Sequence, residues 1–444
     1  MGDVDSQAGE AEPAALPRVV VVYDAASITP MVLAEAASGI CRIVWVLDGS
    51  DPVMSSLARL LRRMGEVVDT DGLDTDAAAA AVASHGPTGI LTFAEAQMPL
   101  TAALAERLSL TYHSPRTADR LADKYLQRLA LHEAGLPGPA VWEAPTPGPD
   151  GAIDASAIEA LADQVTYPVV VKPRHGTSSV ATARADDRPQ LVELMMRFGG
   201  QDGGLLVEEY LADLPSRGAF SDDLAVELLA QGGRIWDLST TGKFAYAPPF
   251  RGRGCFLPSH VDASTAAELF SAAEAAVRAL GITDGFANID VKLTPEGPRV
   301  VEVNGRLGGN VHALMELAGG PSILPLVFRV ALGQDMASDP TVARVVDDGW
   351  SRIGYFAWVQ TPMSATRLSS IEGLDDVAAL PHVASVAPNR RQGDALDWAM
   401  GGRSNVCQVL GSVEVIGDLA AARDEIDDTV TLAFEEDPQE SVSS

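Results

Sequence analysis

Residues 297–310, "GPRVVEVNGRLGGN", set polar side chains into an apolar stretch that is typical of a buried strand. Successive side chains of a strand point to opposite faces, so Glu302, Asn304 and Arg306 are predicted to share one face. Because an unpaired buried carboxylate is costly, that face must contact a group that compensates its charge. Mg²⁺ is one candidate, since it takes oxygen ligands from proteins and keeps phosphate oxygens in its shell. A solvated edge strand is the alternative for this stretch alone.

A second strand-like stretch lies just before the first and carries another carboxylate. Residues 285–293, "GFANIDVKL", are joined to it by the short turn "TPEGP". The two strands are predicted to form a hairpin that brings Asp290 beside Glu302. Facing carboxylates destabilise a hairpin unless a cation lies between them. The sequence therefore predicts a Mg²⁺ site made by Asp290, Glu302 and Asn304, with Arg306 facing a reacting anion.

The stretch "VVVKPRHGTSSVAT" places Lys172 at the end of a buried strand and follows it with a loop of small residues. The backbone N–H groups of such a loop can donate to phosphate oxygens, while the lysine supplies a positive charge. The pattern G-x-x-x-x-G-K-[ST] does not occur, so this is not a P-loop. A plain hairpin whose lysine stem lies along apolar surface is the alternative.

Two further strands carry acidic residues. In "GLLVEEYL", Glu208 or Glu209 could face a pocket and hold a sugar hydroxyl or an amino group. In "DDLAVELL", Asp223 and Glu227 are predicted to share one face. For each stretch alone, a solvated strand end is the alternative.

One loop concentrates positive charge in an otherwise acidic chain. The chain has 32 Lys and Arg against 61 Asp and Glu, a net charge of −29. Within "TTGKFAYAPPFRGRGCFLPSH", Lys243, Arg251 and Arg253 are predicted to form a local site for an anion. A solvated basic loop is the alternative.

Composition excludes several classes of partner. A net charge of −29 repels nucleic acid and anionic membranes, so neither is expected. Cys41, Cys255 and Cys407 are too widely spaced for a metal or disulfide framework, which suits a reducing compartment. No apolar run reaches the roughly 18 residues of a membrane-spanning helix, and no signal peptide is recognised. We therefore expect a cytoplasmic protein.

The first part of the chain alternates strands and helices. Residues 1–17 are acidic and rich in small residues, which predicts a disordered tail. Residues 18–115 are predicted to form a doubly wound α/β domain, without the G-x-G-x-x-G pattern of dinucleotide-binding folds. One helix is predicted from Ser114 to Gly135, with Ser114 as its N-cap.

Taken in order, these motifs resemble the ATP-grasp superfamily. The order along the chain is Lys124, Lys172 with its loop, "VEEYL", "DDLAVE", Asp290, and Glu302-x-Asn304-x-Arg306. The stretches "KFAYAPPFRGRGCFLPSH" and "ANIDVKLTPEGPRVVEVNGRLGGN" are similar to the branch that contains bacterial L-amino acid ligases and carnosine synthase. The resemblance covers about residues 18–330.

The resemblance implies an α/β fold of the ATP-grasp type, with an N-terminal doubly wound domain and a C-terminal α+β domain. The expected divisions are a Rossmann-like domain at 18–115, an ATP-grasp domain at 116–334 with a mobile lid at about 138–212, and a C-terminal domain at 335–444.

The resemblance also implies roles for single residues. Lys124 and Lys172 would contact the ATP phosphates, and Arg306 would stabilise an acyl phosphate and a tetrahedral intermediate. One or two Mg²⁺, with Mn²⁺ as an alternative, would bind Asp290, Glu302 and Asn304. The remaining residues implied in ATP binding are His175, Ser178 and Ser179 over the phosphates, Glu208, Glu209, Tyr210 and Leu211 at the adenine, and Asp223 at the ribose.

The chain departs from its relatives near the expected substrate. Arg251 and Arg253 stand where the amino acid ligases usually have an acidic residue and a histidine. They would attract a carboxylate and repel an amine. The implied catalytic group is therefore Arg306, Lys172, Lys243, Arg251 and Arg253.

The activity implied by the resemblance is ligation of a carboxylate to an amine with ATP, through an acyl phosphate, to give an amide, ADP and phosphate. The substrates would be small molecules of the amino acid type, and the protein a homodimer. Two alternatives remain open: an ATP-grasp carboxylase that uses bicarbonate, and an ATP-binding protein without turnover.

Overall fold

The computed structural model describes residues 15–24, 28–148, 153–200, 203–214 and 218–437. Of the tail predicted at 1–17, positions 1–14 lie outside the described residues.

The N-terminal part is a parallel sheet with helices on both faces, which confirms the doubly wound prediction. Its strands are in the order β3–β2–β1–β4, and alternate residues of β1 pack toward different helices. Near-complete burial of the strands is what a parallel sheet covered on both faces requires. The elements are β1 (Arg18–Val22), α1 (Pro30–Ala37), β2 (Arg42–Leu47), α2 (Pro52–Leu61), β3 (Glu66–Asp69), α3 (Thr75–Ala83), β4 (Gly89–Thr92) and α4 (Met98–Leu108).

The single helix predicted from Ser114 to Gly135 is wrong, because two helices occupy this stretch. They are α5 (Pro115–Ala122) and α6 (Lys124–Glu133). Between them Asp123 has extended backbone, and its carboxylate accepts hydrogen bonds from the backbone N–H groups of Tyr125 and Leu126. Asp123 thus ends one helix and caps the next, which makes Lys124 the first residue of α6.

A smaller antiparallel sheet lies in the stretch expected to be the lid, and we call this part of the chain the lid. Its strand order is β5–β8–β6–β7, and its helices pack on one face around Val169, Val171, Leu191 and Met195. The elements are β5 (Val141–Glu143), α7 (Ala155–Ala162), β6 (Val169–Pro173), β7 (Ala183–Ala185), α8 (Arg188–Phe198) and β8 (Leu205–Glu209).

A large antiparallel sheet runs through the rest of the chain in the order β13–β12–β9–β10–β11–β14–β17–β16. Because β11 pairs with β14, this sheet continues across the domain boundary expected at residue 334. Its elements up to that boundary are β9 (Phe220–Gln231), β10 (Arg234–Phe244), β11 (Gly254–Leu257), α9 (Ala263–Leu280), β12 (Gly285–Thr294), β13 (Gly297–Asn304), α10 (Val311–Leu317) and α11 (Leu324–Ala331). Beyond it lie α12 (Pro340–Asp347), β14 (Ile353–Val359), β15 (Ala365–Glu372), α13 (Leu374–Ala378), β16 (Val383–Pro388), β17 (Cys407–Val413), α14 (Ile416–Thr429) and β18 (Thr431–Glu436).

The two faces of the large sheet have different environments. Helix α9 covers one face, where Leu269 and Val277 pack with Leu224 and Ile289. Helix α11 packs against the N-terminal sheet, with Phe328 in the same core as Val19. The other face carries the polar residues of β9, β10, β12 and β13 toward the lid. None of the helices in the described part of the chain has the length and apolar character needed to span a membrane.

Candidate active site

A cleft lies between the lid sheet and the polar face of the large sheet. Its volume is about 1000 Å³ when its opening to solvent is included. Most of the residues singled out from sequence line it. They are Lys124, Lys172, His175, Ser178, Ser179, Glu208, Glu209, Tyr210, Leu211, Asp223, Lys243, Asp290 and Glu302. The fold thus brings together positions that are up to 178 residues apart, Lys124 to Glu302.

The β12–β13 hairpin predicted from alternation is present, and Asp290 lies opposite Glu302. Each carboxylate has its own ammonium partner. Lys243 Nζ lies 2.6 Å from Asp290 Oδ1, and Lys124 Nζ lies 2.9 Å from Glu302 Oε1. Burial lowers the pKa of Lys243, but the surrounding groups, with the charge of Asp290 first among them, together raise it well above its ordinary value, so the lysine is charged. The two lysines compensate the facing carboxylates in the structure as it stands.

The donor set fits a hard divalent cation. Asp290 and Glu302 offer carboxylate oxygens, and Asn304 is oriented by a hydrogen bond from its Nδ2 to Asn288 Oδ1 at 3.4 Å, which leaves its carbonyl oxygen as a ligand. The described residues contain no group of three or more His, Cys, Asp or Glu that could hold a metal alone. Mg²⁺ suits such a partial set, because it commonly takes its other ligands from water and substrate phosphates.

Edge strand β13 is held by helix α6. Gln127 exchanges two hydrogen bonds with the backbone of Val303, at 2.8 and 2.7 Å. Arg128 donates to the carbonyl oxygens of Val300 and Val301, at 2.7 Å each. An uncovered edge strand would leave these backbone groups unpaired. The helix therefore fixes the strand that carries Glu302, which sequence reasoning did not foresee.

Glu208 orients a lysine. Its carboxylate lies 2.5 Å from Lys172 Nζ and 3.0 Å from Arg128 Nε. Burial raises the pKa of Glu208, but these two cations lower it by more, so the carboxylate is ionised. Both oxygens of the Glu208 side chain are thus paired with cations, and the idea that Glu208 or Glu209 holds a sugar hydroxyl or an amino group stays a prediction. Glu209 instead accepts a hydrogen bond from the backbone N–H of Ala140 at 3.1 Å.

The small-residue loop at 176–181, which borders the cleft, has an unusual backbone. Ser178, Ser179 and Ala181 have φ of 62°, 56° and 48°, values that side-chain-bearing residues adopt only when their surroundings hold them. Lys124 Nζ contacts Gly176 O at 2.5 Å. Ser178 and Ser179 belong to the small-residue loop that the sequence indicates, but the conformation of this loop depends on a distant segment.

That segment, residues 398–404, we call the strap. Gly402 N donates to Ser178 O, and Ala181 N donates to Ala399 O, each at 2.7 Å. Arg403 donates to Thr177 Oγ1 at 2.8 Å.

The strap is also anchored in the lid core. Trp398 is 8% exposed and packs edge-on against Phe198, with ring centroids 6.1 Å apart. Nothing in the weakly patterned C-terminal sequence signals these contacts.

Arg306 lies at the end of β13 and forms an ion pair with Glu95 of the N-terminal domain. Burial lowers the pKa of Arg306 to about 10, which still leaves it charged at neutral pH. Glu95 was missed in the sequence. A signal was present, because Glu95 follows β4 at the carboxyl edge of a parallel sheet, where ligands of α/β proteins bind.

The structure does not bring Arg251 and Arg253 to the cleft. Arg251 is 2% exposed and donates to the carbonyl oxygens of Pro248 and Thr361 at 2.7 Å. Arg253 pairs with Asp427 on α14, a partner far along the chain. Both guanidinium groups are used within the protein, so direct contact with a substrate anion is not expected of either.

The end of the cleft expected to hold ribose has a further lysine. Lys292 Nζ lies 2.7 Å from Asp213 Oδ1 and 3.2 Å from Asp223 Oδ2. Lys292 therefore fixes the Asp223 carboxylate at the wall of the cleft, a role that the sequence left open.

Comparison with known proteins shows what the part of the chain around this cleft is similar to. Residues 121–310 match the family model described as ATP-grasp domain. The chain is 28% identical over 294 residues to carnosine synthase 1 of Homo sapiens, across 61% of this chain and 32% of that protein. It is 31% identical over 210 residues to the D-alanine--D-alanine ligase of Gloeobacter violaceus, across 45% of this chain and 65% of the ligase. This chain therefore spans less than two thirds of either relative.

The fold has its counterpart among solved structures. The L-amino acid ligase of Bacillus licheniformis superposes with a TM-score of 0.74 at 21% identity, over 96% of this chain and all of that one. The protein therefore has the ATP-grasp fold, and its residues 121–310 form an ATP-grasp domain.

Proposed function

We propose that the protein is an ATP-dependent ligase that joins a carboxylate to an amine and releases ADP and phosphate. One observation carries the proposal. Asp290 and Glu302 lie opposite each other in the β12–β13 hairpin and line a cleft with a loop and two lysines suited to phosphates, while Asn304 ends β13 and Arg306 lies two residues beyond it. A site that only bound nucleotide would not need an arginine beyond the metal ligands.

The nucleotide would occupy the cleft between lid and large sheet. Lys124, Lys172 and the loop above them would contact its phosphates, and the chain at 209–211 would border its adenine. Asp223 would accept from the ribose hydroxyls. Mg²⁺, or Mn²⁺ in its place, would be held by Asp290, Glu302 and Asn304 and would neutralise phosphate charge during transfer.

In the first step, a substrate carboxylate oxygen would attack the γ-phosphorus of ATP. The bond from that phosphorus to the bridging oxygen breaks, ADP leaves, and an acyl phosphate forms. Little covalent chemistry is required of the protein, so positioning and cation stabilisation are its contribution. Lys243 keeps Asp290 in place for this step, and Lys172 is itself aimed by Glu208.

In the second step, the amine nitrogen would attack the acyl carbon. The oxyanion that forms needs a nearby cation, which we assign to Arg306. Phosphate then leaves with the electrons of its carbon–oxygen bond, the nitrogen loses a proton, and an amide remains. The loop at 176–181 and the strap would exclude water, which would otherwise hydrolyse the acyl phosphate.

Substrates of the amino acid type are the proposed class. The relatives and the structural neighbour are, by name, a D-alanine ligase, a carnosine synthase and an L-amino acid ligase. A cytoplasmic location and a homodimer remain part of the proposal.

The test is product analysis. The protein, ATP and Mg²⁺ are incubated with pooled amino acids, with and without bicarbonate, and phosphate release is measured beside mass spectrometry. ADP and phosphate with a new amide mass are expected. ATP turnover only with bicarbonate would move the protein to the carboxylases, and ATP binding without turnover under every pool would contradict a ligase.

A further inference from the structure

The turn Gly305-Arg306-Leu307-Gly308 follows β13 and carries the arginine of the proposed chemistry. We call it the arginine turn. Arg306 itself makes an ion pair with Glu95 and a 3.1 Å hydrogen bond to Leu307 O. A buried titratable residue contacts each of the turn's two glycines, and the two residues come from different parts of the chain.

His113 holds the first glycine. It follows the N-terminal domain, is 4% exposed, and its Nε2 lies 2.8 Å from Gly305 O. Burial lowers the pKa of His113, so the ring is neutral at pH 7 and Nε2 must carry the proton that it donates. A Cβ at residue 305 would lie 2.7 Å from that nitrogen, so only glycine permits this approach.

Glu227 holds the second glycine. It lies in β9, is fully buried, and its Oε2 accepts from Gly308 N at 3.2 Å. Its Oε1 accepts from Asn288 Nδ2. A Cβ at residue 308 would lie 2.9 Å from Asn288 Nδ2 and against the Glu227 carboxylate, so glycine is again required.

Burial of the Glu227 carboxyl group costs desolvation free energy. Its hydrogen-bond partners are an amide and a backbone N–H, and burial raises its pKa to about 8. An apolar residue in the centre of a sheet would avoid that cost. Perturbed buried carboxylates are enriched at functional sites, and this one contacts the turn that holds Arg306.

We propose that His113 and Glu227 are positioning residues that clamp the two ends of the arginine turn and so fix the place of the Arg306 guanidinium. The effect of this clamp on the reaction rests on the proposed function, whereas the contacts of His113 and Glu227 with the turn do not. Neither side chain lines the nucleotide cleft. Their effect should therefore reach the reaction through Arg306 and leave nucleotide binding unchanged.

The clamp can be tested without any assumption about activity. Hydrogen–deuterium exchange is measured on the full chain for peptides covering residues 303–310, in wild type, H113L, H113Q and E227Q. Gln can still donate to Gly305 O, whereas Leu cannot. Gln at position 227 has a single carbonyl oxygen to accept from both Asn288 Nδ2 and Gly308 N, whereas Glu227 has two oxygens. Faster exchange in H113L and E227Q, with H113Q near wild type, is expected. Unchanged exchange in H113L and E227Q would overturn the clamp.

Kinetics then test the link to Arg306. Misplacing a catalytic group by about 1 Å costs on the order of 100-fold in rate, so H113L and E227Q should lower kcat by about 10- to 100-fold with KM for ATP unchanged. H113Q should recover most of the loss. In an R306K background, H113L should have little further effect, because its target is already altered.

The outcomes separate the two claims. Equal losses in the wild-type and R306K backgrounds would show that His113 supports the fold generally, and would overturn its positioning role. A wild-type protein that forms no amide with any substrate pool would refute the proposed function, while the exchange data would still decide whether the clamp exists.

Discussion

At the residue scale, the cleft keeps its charges in close pairs across different elements. In the cleft, Lys243 pairs with Asp290, Lys124 with Glu302 and Lys172 with Glu208, and outside its lining Arg306 pairs with Glu95. Removing one partner of a buried pair leaves an uncompensated charge, which costs more than the pair contributes. Substitutions in this cleft should therefore be isosteric, so that loss of function is not confused with loss of folding.

Glu302→Gln is expected to lower turnover by about 100-fold or more, because it removes an anionic ligand from the proposed Mg²⁺ site and a partner of Lys124. The measurement is phosphate release as a function of Mg²⁺ concentration, with the thermal unfolding midpoint recorded in parallel. Glu296→Gln is the matched control, since Glu296 is exposed in the turn of the same hairpin. Normal turnover in Glu302→Gln would remove Glu302 from the metal site.

Glu227 predicts a pH dependence of stability. Its pKa is raised to about 8 in the folded protein, so the folded state retains a proton that the unfolded state releases above its ordinary value of 4.5. The free energy of unfolding should therefore fall as pH rises from 4.5 to about 8, by the contribution of this group. Denaturant unfolding of wild type and E227Q across this range should show E227Q gaining relative stability as pH rises. A constant difference would mean that Glu227 is ionised throughout.

At the element scale, the strap and the arrangement of α5 and α6 decide where the residues proposed to contact the ATP phosphates lie. Asp123 starts α6 beside the lid loop, and its carboxylate also accepts from Arg174 Nη2 at 2.5 Å. The strap provides the opposite support, through backbone hydrogen bonds to Ser178 and Ala181. The lid loop is therefore held from two sides by elements outside the lid.

Gly401→Ala should disturb this support. Gly401 has φ of 57°, and a Cβ there would contact the backbone of Ser178 and Ser179. The expected result is a higher KM for ATP and more ADP formed per amide, because the loop closes less well. Gly417→Ala is the control, since nothing lies within 4 Å of the added carbon. An unchanged ADP-to-amide ratio in Gly401→Ala would show that the strap does not help to exclude water.

Sequence predicted those elements whose signal is local. The alternation in β12 and β13 correctly placed Asp290 opposite Glu302, and the apolar runs correctly gave the parallel sheet. The break at Asp123 was missed because a capping aspartate inside a helical pattern looks like a surface residue. The ion pair of Arg253 could not be predicted from the sequence, because its partner Asp427 lies 174 residues further along the chain.

At the scale of the whole molecule, charge is strongly unbalanced. The net charge of −29 comes from 32 Lys and Arg against 61 Asp and Glu, and the described cations form ion pairs both in the cleft and elsewhere. Self-repulsion of this size opposes the compact state and is screened by salt.

Raising KCl from about 10 mM to about 150 mM should therefore raise the thermal unfolding midpoint, since the Debye length falls from roughly 30 Å to 8 Å. Differential scanning calorimetry measures it, with an equal osmolality of sucrose as the control. A lower midpoint in KCl would indicate that surface ion pairs outweigh the net repulsion.

The continuous sheet from β13 to β16 limits how the molecule can move. Its strands are hydrogen-bonded from the ATP-grasp part into the C-terminal part, so the large sheet links the wall of the cleft to β16 and β17, which flank the strap, and the lid has its own separate sheet. If the proposed ligation takes place, departure of ADP would part the same lid–strap contacts in each cycle, whichever amine has been joined. If that parting is the slowest step, different amines will reach the same limiting rate and differ only in the concentration needed to approach it.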